Sequence, residues 1–209
     1  MSAGSKPKST PAAKIGRPRA FDRDSALLAA MRTFWTQGYE GTSVQDLVSA
    51  MGVNKPSLYS TFGCKEEIFR EAVELYDRVE GRATSQSLSQ ARTAREAVET
   101  MLRSNASAYA VDEGPRGCMI VLSSLLGAPE NDSVRAFLAD NRLKGEKALR
   151  DRLARGIAQG DLLASADVDQ LAAFYTTVLE GLSIQARDGA SAKKLNMIID
   201  AAMLAWPTG

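Results

Sequence analysis

The chain has 209 residues and a formal net charge of +1, with 44% hydrophobic and 24% charged residues. This length and composition are typical of a chain with one or two folded domains and a buried core. Histidine is absent and only two cysteines occur. That excludes Ser-His-Asp and Cys-His catalytic pairs, histidine metal ligands and cysteine-based zinc sites. We therefore predict no metal site and no cofactor.

Helix-forming residues dominate the apolar content, with 32 alanines and 21 leucines against 11 valines and 7 isoleucines. Alanine and leucine favour helices and β-branched residues favour strands, so we predict an all-α fold. The longest unbroken apolar runs, residues 26–31 and 201–206, have six residues each, too few to cross a bilayer. Since no signal peptide starts the chain, we expect a cytoplasmic protein without membrane contact.

The charge is unevenly distributed along the chain. Residues 1–65 carry nine basic and four acidic side chains, a balance of +5, whereas residues 66–209 carry 17 basic and 21 acidic ones, a balance of −4. A basic first third indicates that one end faces a polyanion. A solvated basic tail is the alternative, because six of the nine cations precede residue 24.

Apolar residues recur at intervals of three and four from about Asp22 onwards, which is the period of an α-helix. Residues 1–20 show no such period and are rich in Ser, Pro, Ala and Lys, so we expect a disordered basic arm. Glycines and prolines divide the remainder into nine predicted helices, and no strand pattern competes with them. The predicted helices cover about 22–38, 42–51, 54–62, 65 to a blurred end beyond 81, 93–111, 116–126, 131–159, 167–187 and 191–205.

The second and third predicted helices are each about two turns long, and the turn between them contains Gly52, a pattern typical of a helix-turn-helix. Thr42 is predicted to cap the second helix, with Gln45 in the capping-box position. The third helix has an unusually polar exposed face, whose hydroxyl, phenol and amino groups suit base edges and phosphates in a major groove. Paired short helices also occur in proteins that do not bind DNA. The polar residues of this face are Lys55, Ser57, Tyr59, Ser60 and Thr61.

Three segments carry a resemblance to a known family: GYEGTSV at 38–44, GVNKPSLY at 52–59 and FGCKEEIF at 62–69. Together they resemble the TetR family of bacterial transcriptional regulators over about residues 21–70. The resemblance implies a helix-turn-helix DNA-binding domain at 21–66 and an effector-binding and dimerisation domain at 67–209. It also implies a homodimeric repressor that binds a palindromic DNA operator and is released by a small-molecule effector.

The family pattern implies particular DNA contacts. It assigns phosphate contacts to Thr42 and to Lys65 at the start of the fourth helix. It assigns the recognition-helix contacts to Lys55, Ser57, Tyr59, Ser60 and Thr61. Two residues depart from the pattern: Pro56 replaces a frequent glycine, and Cys64 replaces a better helix cap.

An arginine pair, Arg17 and Arg19, precedes the first predicted helix. Arginines on an extended chain suit a narrow, electronegative minor groove, as in homeodomain arms. A solubilising tail is the alternative, and beside a helix-turn-helix we favour the groove.

The carboxy-terminal helices are apolar on more than one side and must be covered on more than one side. The tail resembles, more weakly, the regulatory domains of TetR-type proteins, and we predict a dimer interface rather than only a deep monomer core. An effector cavity is predicted mainly within 93–159, although the same residues could form ordinary core. The predicted interface residues are Val178, Leu182, Ile198, Ile199 and Ala202. The predicted cavity residues are Met101, Asn105, Tyr109, Met119, Leu122, Ser123, Leu126, Phe137, Phe174 and Tyr175.

Cys118 supports an alternative function as a redox or electrophile sensor. It opens the helix predicted at 116–126, where the positive helix end and the nearby Arg116 favour a thiolate. Some TetR-type regulators with Gly-Cys at this position sense reactive compounds. We favour a packed thiol, because four apolar residues follow. A small helical enzyme or a protein-interaction adaptor is disfavoured, since no carboxylate pair lies on an apolar helix face.

Overall fold

The computed structural model describes residues 22–123 and 128–208. These residues form ten α-helices and one short 3₁₀ turn, Pro129–Asn131, and none of them lies in a strand. The predicted all-α architecture is confirmed, with one α-helix more than the apolar pattern indicates. The helices are α1 Arg23–Gly41, α2 Val44–Met51, α3 Lys55–Phe62, α4 Lys65–Val79, α5 Arg82–Gln90, α6 Ala94–Tyr109, α7 Met119–Leu122, α8 Asp132–Gln159, α9 Val168–Arg187 and α10 Ala192–Met203.

The additional helix, α5, lies in the serine-rich stretch where the apolar pattern fades. Ser85, Ser87 and Ser89 donate their hydroxyls to carbonyls four residues earlier within or at the start of the helix. This bonding to the helix's own backbone satisfies polar side chains that otherwise favour turns. Leu88 is buried against the body of the protein, so tertiary packing stabilises a helix that propensity alone does not predict.

The amino-terminal helices form a head with its own core. Aromatic contacts fix α1 against α4: the ring centroids of Phe34 and Phe69 are 5.0 Å apart, and those of Trp35 and Tyr76 are 4.8 Å apart. The head's core continues along α4 to Tyr76, beyond the boundary predicted at residue 66. The division into domains at residue 66 therefore remains a prediction, because α4 belongs both to the head and to the start of the body.

Helices α5, α6, α8, α9 and α10 surround a second core, which forms the body. Tyr175 lies at its centre and packs against Trp206, with the ring centroids 5.9 Å apart. Met119, at the start of α7, packs instead with the core of the head. The short α7 therefore joins the two cores. Among the described helices, none combines the length and apolar character needed to cross a membrane.

Candidate DNA-binding face and effector cavity

The start of α2 differs by one residue from the predicted cap. Ser43 is the N-cap: its hydroxyl accepts the Asp46 N–H at 3.1 Å, and the Asp46 carboxylate accepts the Ser43 N–H at 2.8 Å. The capping box predicted for Thr42 and Gln45 is therefore wrong. Thr42 is fully buried and donates its hydroxyl to the Gly38 carbonyl at 2.7 Å. Its side chain is thus not presented to a phosphate, whereas Ser43 is exposed.

Helix α3 has the two faces that its sequence predicts. Asn54 caps it by accepting the Ser57 N–H at 2.8 Å. Leu58 and Phe62 are buried in the core of the head. The opposite side carries the five predicted polar residues. Of these, Lys55, Tyr59 and Ser60 are exposed and Ser57 and Thr61 are half-buried.

Arg23 fixes the recognition helix within the head. Its guanidinium donates to both carboxylate oxygens of Glu71, at 2.8 and 2.7 Å. The Cζ atom of Arg23 lies 4.5 Å from the centre of the Phe62 ring. This single side chain of α1 therefore touches the end of α3 and the middle of α4. A helix held against two other helices in this way keeps its polar face in one orientation relative to the head.

Lys65 occupies the first turn of α4, as predicted. Its Nζ lies 4.3 Å from the centre of the Tyr39 ring. Burial lowers the pKa of Lys65, and the nearby carboxylates of Glu40 and Asp46 oppose that shift. The positive end of the helix and the lysine cation beside it both attract a phosphate group. Arg17 and Arg19 lie outside the residues that the structure describes.

A cavity of about 580 Å³ lies in the body, between α4, α5, α6, α8, α9 and the segment that contains α7. Three predicted cavity residues line it: Met101, Asn105 and Tyr109. Leu126 lies outside the described residues. The cavity is not lined by the other predicted residues, Met119, Leu122, Ser123, Phe137, Phe174 and Tyr175.

These six residues have other positions in the fold. Met119 is fully buried in the core of the head, and Tyr175 is fully buried in the body. Phe137 lies under the Arg70 guanidinium at 4.5 Å. Phe174 is 39% exposed on the outer surface of α9. Leu122 is half-buried beside the Gly117 backbone, and the Ser123 carbonyl accepts a hydrogen bond from α1.

Several cavity residues are not among those predicted from the sequence. They come from helices far apart in the chain: Tyr76 from α4, Thr84 from α5, Arg142 and Arg152 from α8, and Glu180 from α9. Glu180 had a recognisable signal, because a carboxylate stands in an otherwise apolar stretch of α9. Burial raises the pKa of Glu180, and Arg142, 4.0 Å away, opposes the shift.

Cys118 lines the cavity at its junction with the head. Its N–H donates to the Ser183 hydroxyl at 2.7 Å, and its side chain interacts electrostatically with the Tyr76 and Tyr109 phenols. Burial is the main reason that the pKa values of both phenols lie well above their ordinary value. Gly117 precedes it with φ 76°, and a side chain there would meet the Ser183 carbonyl.

The segment 117–123 also contacts α1 directly. The Trp35 indole donates to the Gly117 carbonyl at 2.9 Å, and the Tyr39 N–H donates to the Ser123 carbonyl at 3.1 Å. Both donors lie in the helix that leads into the helix-turn-helix. A change of shape at the cavity end of this segment therefore has a short, hydrogen-bonded path to the DNA-binding face.

The predicted dimer-interface residues divide between core and surface. Leu182, Ile199 and Ala202 are buried in the body core of a single chain, which corrects their assignment to an interface. Val178 and Ile198 are half-buried. The apolar side chains exposed on α9 and α10 are different ones: Phe174, Ile184, Met197 and Leu204, the last just after α10.

Comparison with known proteins gives a consistent result. The model of bacterial regulatory proteins of the tetR family matches residues 26–72, and the tetracyclin repressor-like C-terminal domain matches residues 94–202. The transcriptional repressor ComR of Escherichia coli is 34% identical over 193 residues, 92% of each chain. The repressor BdcR of the same organism is 31% identical over 86% of each chain.

A solved structure is also similar over almost the whole chain. It is a cysteine mutant of the TetR family regulator CifR, complexed with 26-bp double-strand operator DNA. It is 47% identical, covers 92% of this chain and 100% of its own, and has a TM-score of 0.89.

Proposed function

Since the chain belongs to the TetR family of DNA-binding transcriptional repressors, we propose that it acts as a homodimer on a palindromic operator and is released by a small-molecule effector. The observation that carries this proposal is the hydrogen-bonded segment 117–123, which lies between the cavity and α1. The family consists of regulators, so the enzyme and adaptor alternatives are set aside. A regulator of this kind acts where the chromosome is, in the cytoplasm.

In the proposed complex α3 lies in the major groove. Lys55 reaches a phosphate from the amino-terminal end of α3, and the Tyr59 phenol and Ser60 hydroxyl reach base edges. Lys65 at the start of α4 interacts electrostatically with Asp46 in the first turn of α2, whose N-cap is Ser43. The starts of the two helices therefore lie close together. We propose that both helix ends contact the phosphates that border this groove.

The proposed release begins in the cavity. A ligand that contacts Tyr76 and Cys118 touches the neighbours of Trp35, since Tyr76 packs edge-on against that indole. Moving Trp35 and Tyr39 changes the orientation of α1 and hence of the head. The ligand shifts the population only as far as it prefers the DNA-incompetent arrangement.

The operator proposal is tested by selecting bound duplexes from a random library with the full chain. We expect an enriched sequence with two inverted half-sites, because two identical heads read it. Enrichment of a single half-site, or of no sequence at all, would contradict the proposed dimeric operator complex.

Deleting residues 1–19 should reduce operator affinity and flatten its dependence on salt. The deletion removes five cations. The salt slope, which is the slope of the logarithm of affinity against the logarithm of salt concentration, becomes less steep by about 0.9 for each phosphate that a cation no longer neutralises. Deleting only residues 1–13 is the control, because it retains Lys14, Arg17 and Arg19. Equal salt slopes for the full chain and the longer deletion would show that the arm makes no phosphate contact.

Cys118 supports a second candidate input, covalent sensing, because the thiol lines the cavity and is half-buried. Cys64 is exposed on the head, so its own alkylation must be eliminated. In a Cys64→Ser background, we expect an electrophile small enough to enter the cavity to label Cys118 and release operator DNA. The matched Cys64→Ser/Cys118→Ser protein should keep its DNA. Labelling of Cys118 without release, or no labelling, leaves a non-covalent ligand as the input.

A further inference from the structure

Arg152 on α8 is an unusual residue of the cavity wall. It is only 2% exposed, although its side chain ends in a charged guanidinium group. Its Nη2 donates to the Ala91 carbonyl at 3.3 Å and lies 3.8 Å from the Asp161 carboxylate. Its Nε and Nη1 have no hydrogen-bond partner among the described residues.

The neighbouring groups compensate this buried cation only in part, through the carboxylates of Asp161 and Glu96, while the cation Arg155 opposes them. Asp161 already accepts the Ala94 N–H at 2.9 Å, and its distance from Arg152 is longer than that of a hydrogen bond. Arg155, the next cation on the same side of α8, donates to the Leu88 carbonyl. Leaving buried guanidinium N–H groups unpaired is unfavourable. An anionic ligand group would therefore complete the pairing of Arg152 at this end of the cavity.

The cavity is long, with an apolar middle. Residues of α8 line it from Asn141 to Arg155, a rise of about 21 Å at 1.5 Å per residue. Glu180, a half-buried acid of its wall, belongs to the opposite end, beside Arg142 and the Cys118 junction. Between the two ends the apolar wall consists of Leu88, Met101, Val121, Leu149 and Leu179.

We infer that the effector is an elongated amphipathic anion, whose carboxylate or phosphate group binds Arg152 and whose apolar chain lies along the middle of the cavity. The orientation follows from charge, because Glu180 disfavours the anion at the other end. In this orientation the far end of the ligand meets Tyr76 and Cys118, the residues that contact the head. This inference rests on the proposed role of the cavity as the effector site.

The first test compares head groups on one chain length. Decanoate, decyl phosphate, 1-decanol and decylamine are titrated into the full protein without DNA, below their aggregation concentrations and at constant ionic strength. Calorimetry and the tryptophan fluorescence, to which Trp35 beside Tyr76 contributes along with Trp206, report binding. We expect one or both anions to bind about ten- to a hundred-fold more tightly than the alcohol, and the amine to bind most weakly. The stronger of the two anions identifies the preferred head group.

The second test removes the cation. Arg152→Met replaces it by an apolar side chain of similar length. The variant should lose the preference for anions over decanol. Its melting temperature should fall, because Asp161 loses its cationic neighbour, and ligand-free operator binding is therefore compared at a temperature where both proteins are folded. Arg92→Met is the control, since Arg92 is 90% exposed and does not line the cavity.

Two outcomes would overturn the inference. One is a wild-type protein that binds decanol as tightly as both anions. The other is an Arg152→Met protein that keeps the anion preference. The wild-type comparison needs no variant, so it decides the question even if Arg152→Met does not fold. Because binding is measured without DNA, its failure is separate from any failure of operator recognition.

Discussion

Gly181→Arg should convert the proposed dimer into folded monomers. Gly181 lies on α9 two turns after Phe174 and one turn before Ile184, so the three residues share one side of the helix. A Cβ at Gly181 would meet nothing within 4 Å in the same chain. Replacing glycine in a helix also improves helix propensity. The substitution therefore leaves the fold of one chain intact and places a charge on the side of α9 that exposes Phe174 and Ile184, which we propose as the dimer interface.

The effect on DNA binding should be large. A dimer places two heads on two half-sites, and linked binding exceeds single-site binding by about 10²- to 10⁴-fold. We expect Gly181→Arg to sediment as a monomer and to lose at least about a hundred-fold in operator affinity. Gly145→Arg on α8 is the matched control, because that position is also helical and open.

Leu182→Glu should fail differently. Leu182 is 1% exposed within a single chain, so a carboxylate there disrupts the body core and gives unfolded or insoluble protein. The contrast between adjacent positions separates interface from core. A Gly181→Arg protein that remains dimeric, or a monomer that binds the full operator normally, would place the dimer interface elsewhere.

Helix ends are the part of this fold that the sequence predicts best, because caps depend on neighbouring residues. Asn54 caps α3 as predicted, and Gly160 ends α8 in the left-handed conformation, with φ 77°. The start of α2 is harder, since Thr42 and Ser43 each have a suitable residue three positions later. The carboxylate of Asp46 forms a stronger, charge-assisted hydrogen bond than the amide of Gln45 would, and Ser43 becomes the cap.

The covering of each helix face is less predictable. The pattern of α9 shows that more than one side is apolar, but it does not show which side the same chain covers. Leu182 faces the body core, whereas Phe174 lies outside. That assignment depends on how α6, α8 and α10 cross α9, and the pattern of α9 alone does not specify these crossings. The lining of the cavity is hard to predict for the same reason, because several helices contribute to it.

The charged residues of the cavity illustrate a signal that the sequence does contain. Methionine, aromatic and small polar residues at helical spacing correctly predict Met101, Asn105 and Tyr109 as cavity residues. They do not predict Arg152, which lies between the core positions Leu149 and Leu153. A charge at a helical position that repeats with core leucines predicts a buried ion and, with it, a ligand or a partner.

Lys55→Ala should weaken operator binding by about 1–3 kcal/mol per subunit. Lys55 is exposed in the first turn of α3 and its Nζ lies 5.9 Å from the centre of the Tyr59 ring. The change removes no buried contact, so the melting temperature should stay near that of the wild type. Lys144→Ala is the control: Lys144 is exposed on α8 and pairs with Asp140.

Tyr59→Phe should have a different signature from Lys55→Ala. Removing a lysine that neutralises one phosphate weakens binding to all sequences and lowers the salt slope by about 0.9. Removing a phenol hydroxyl from a base edge leaves the salt slope unchanged and relaxes the preference for one base pair in each half-site. Band shifts at several salt concentrations, on the selected operator and on single-base variants, separate the two roles. If both proteins keep the wild-type affinity, salt slope and base preference, α3 is not the helix that reads the operator.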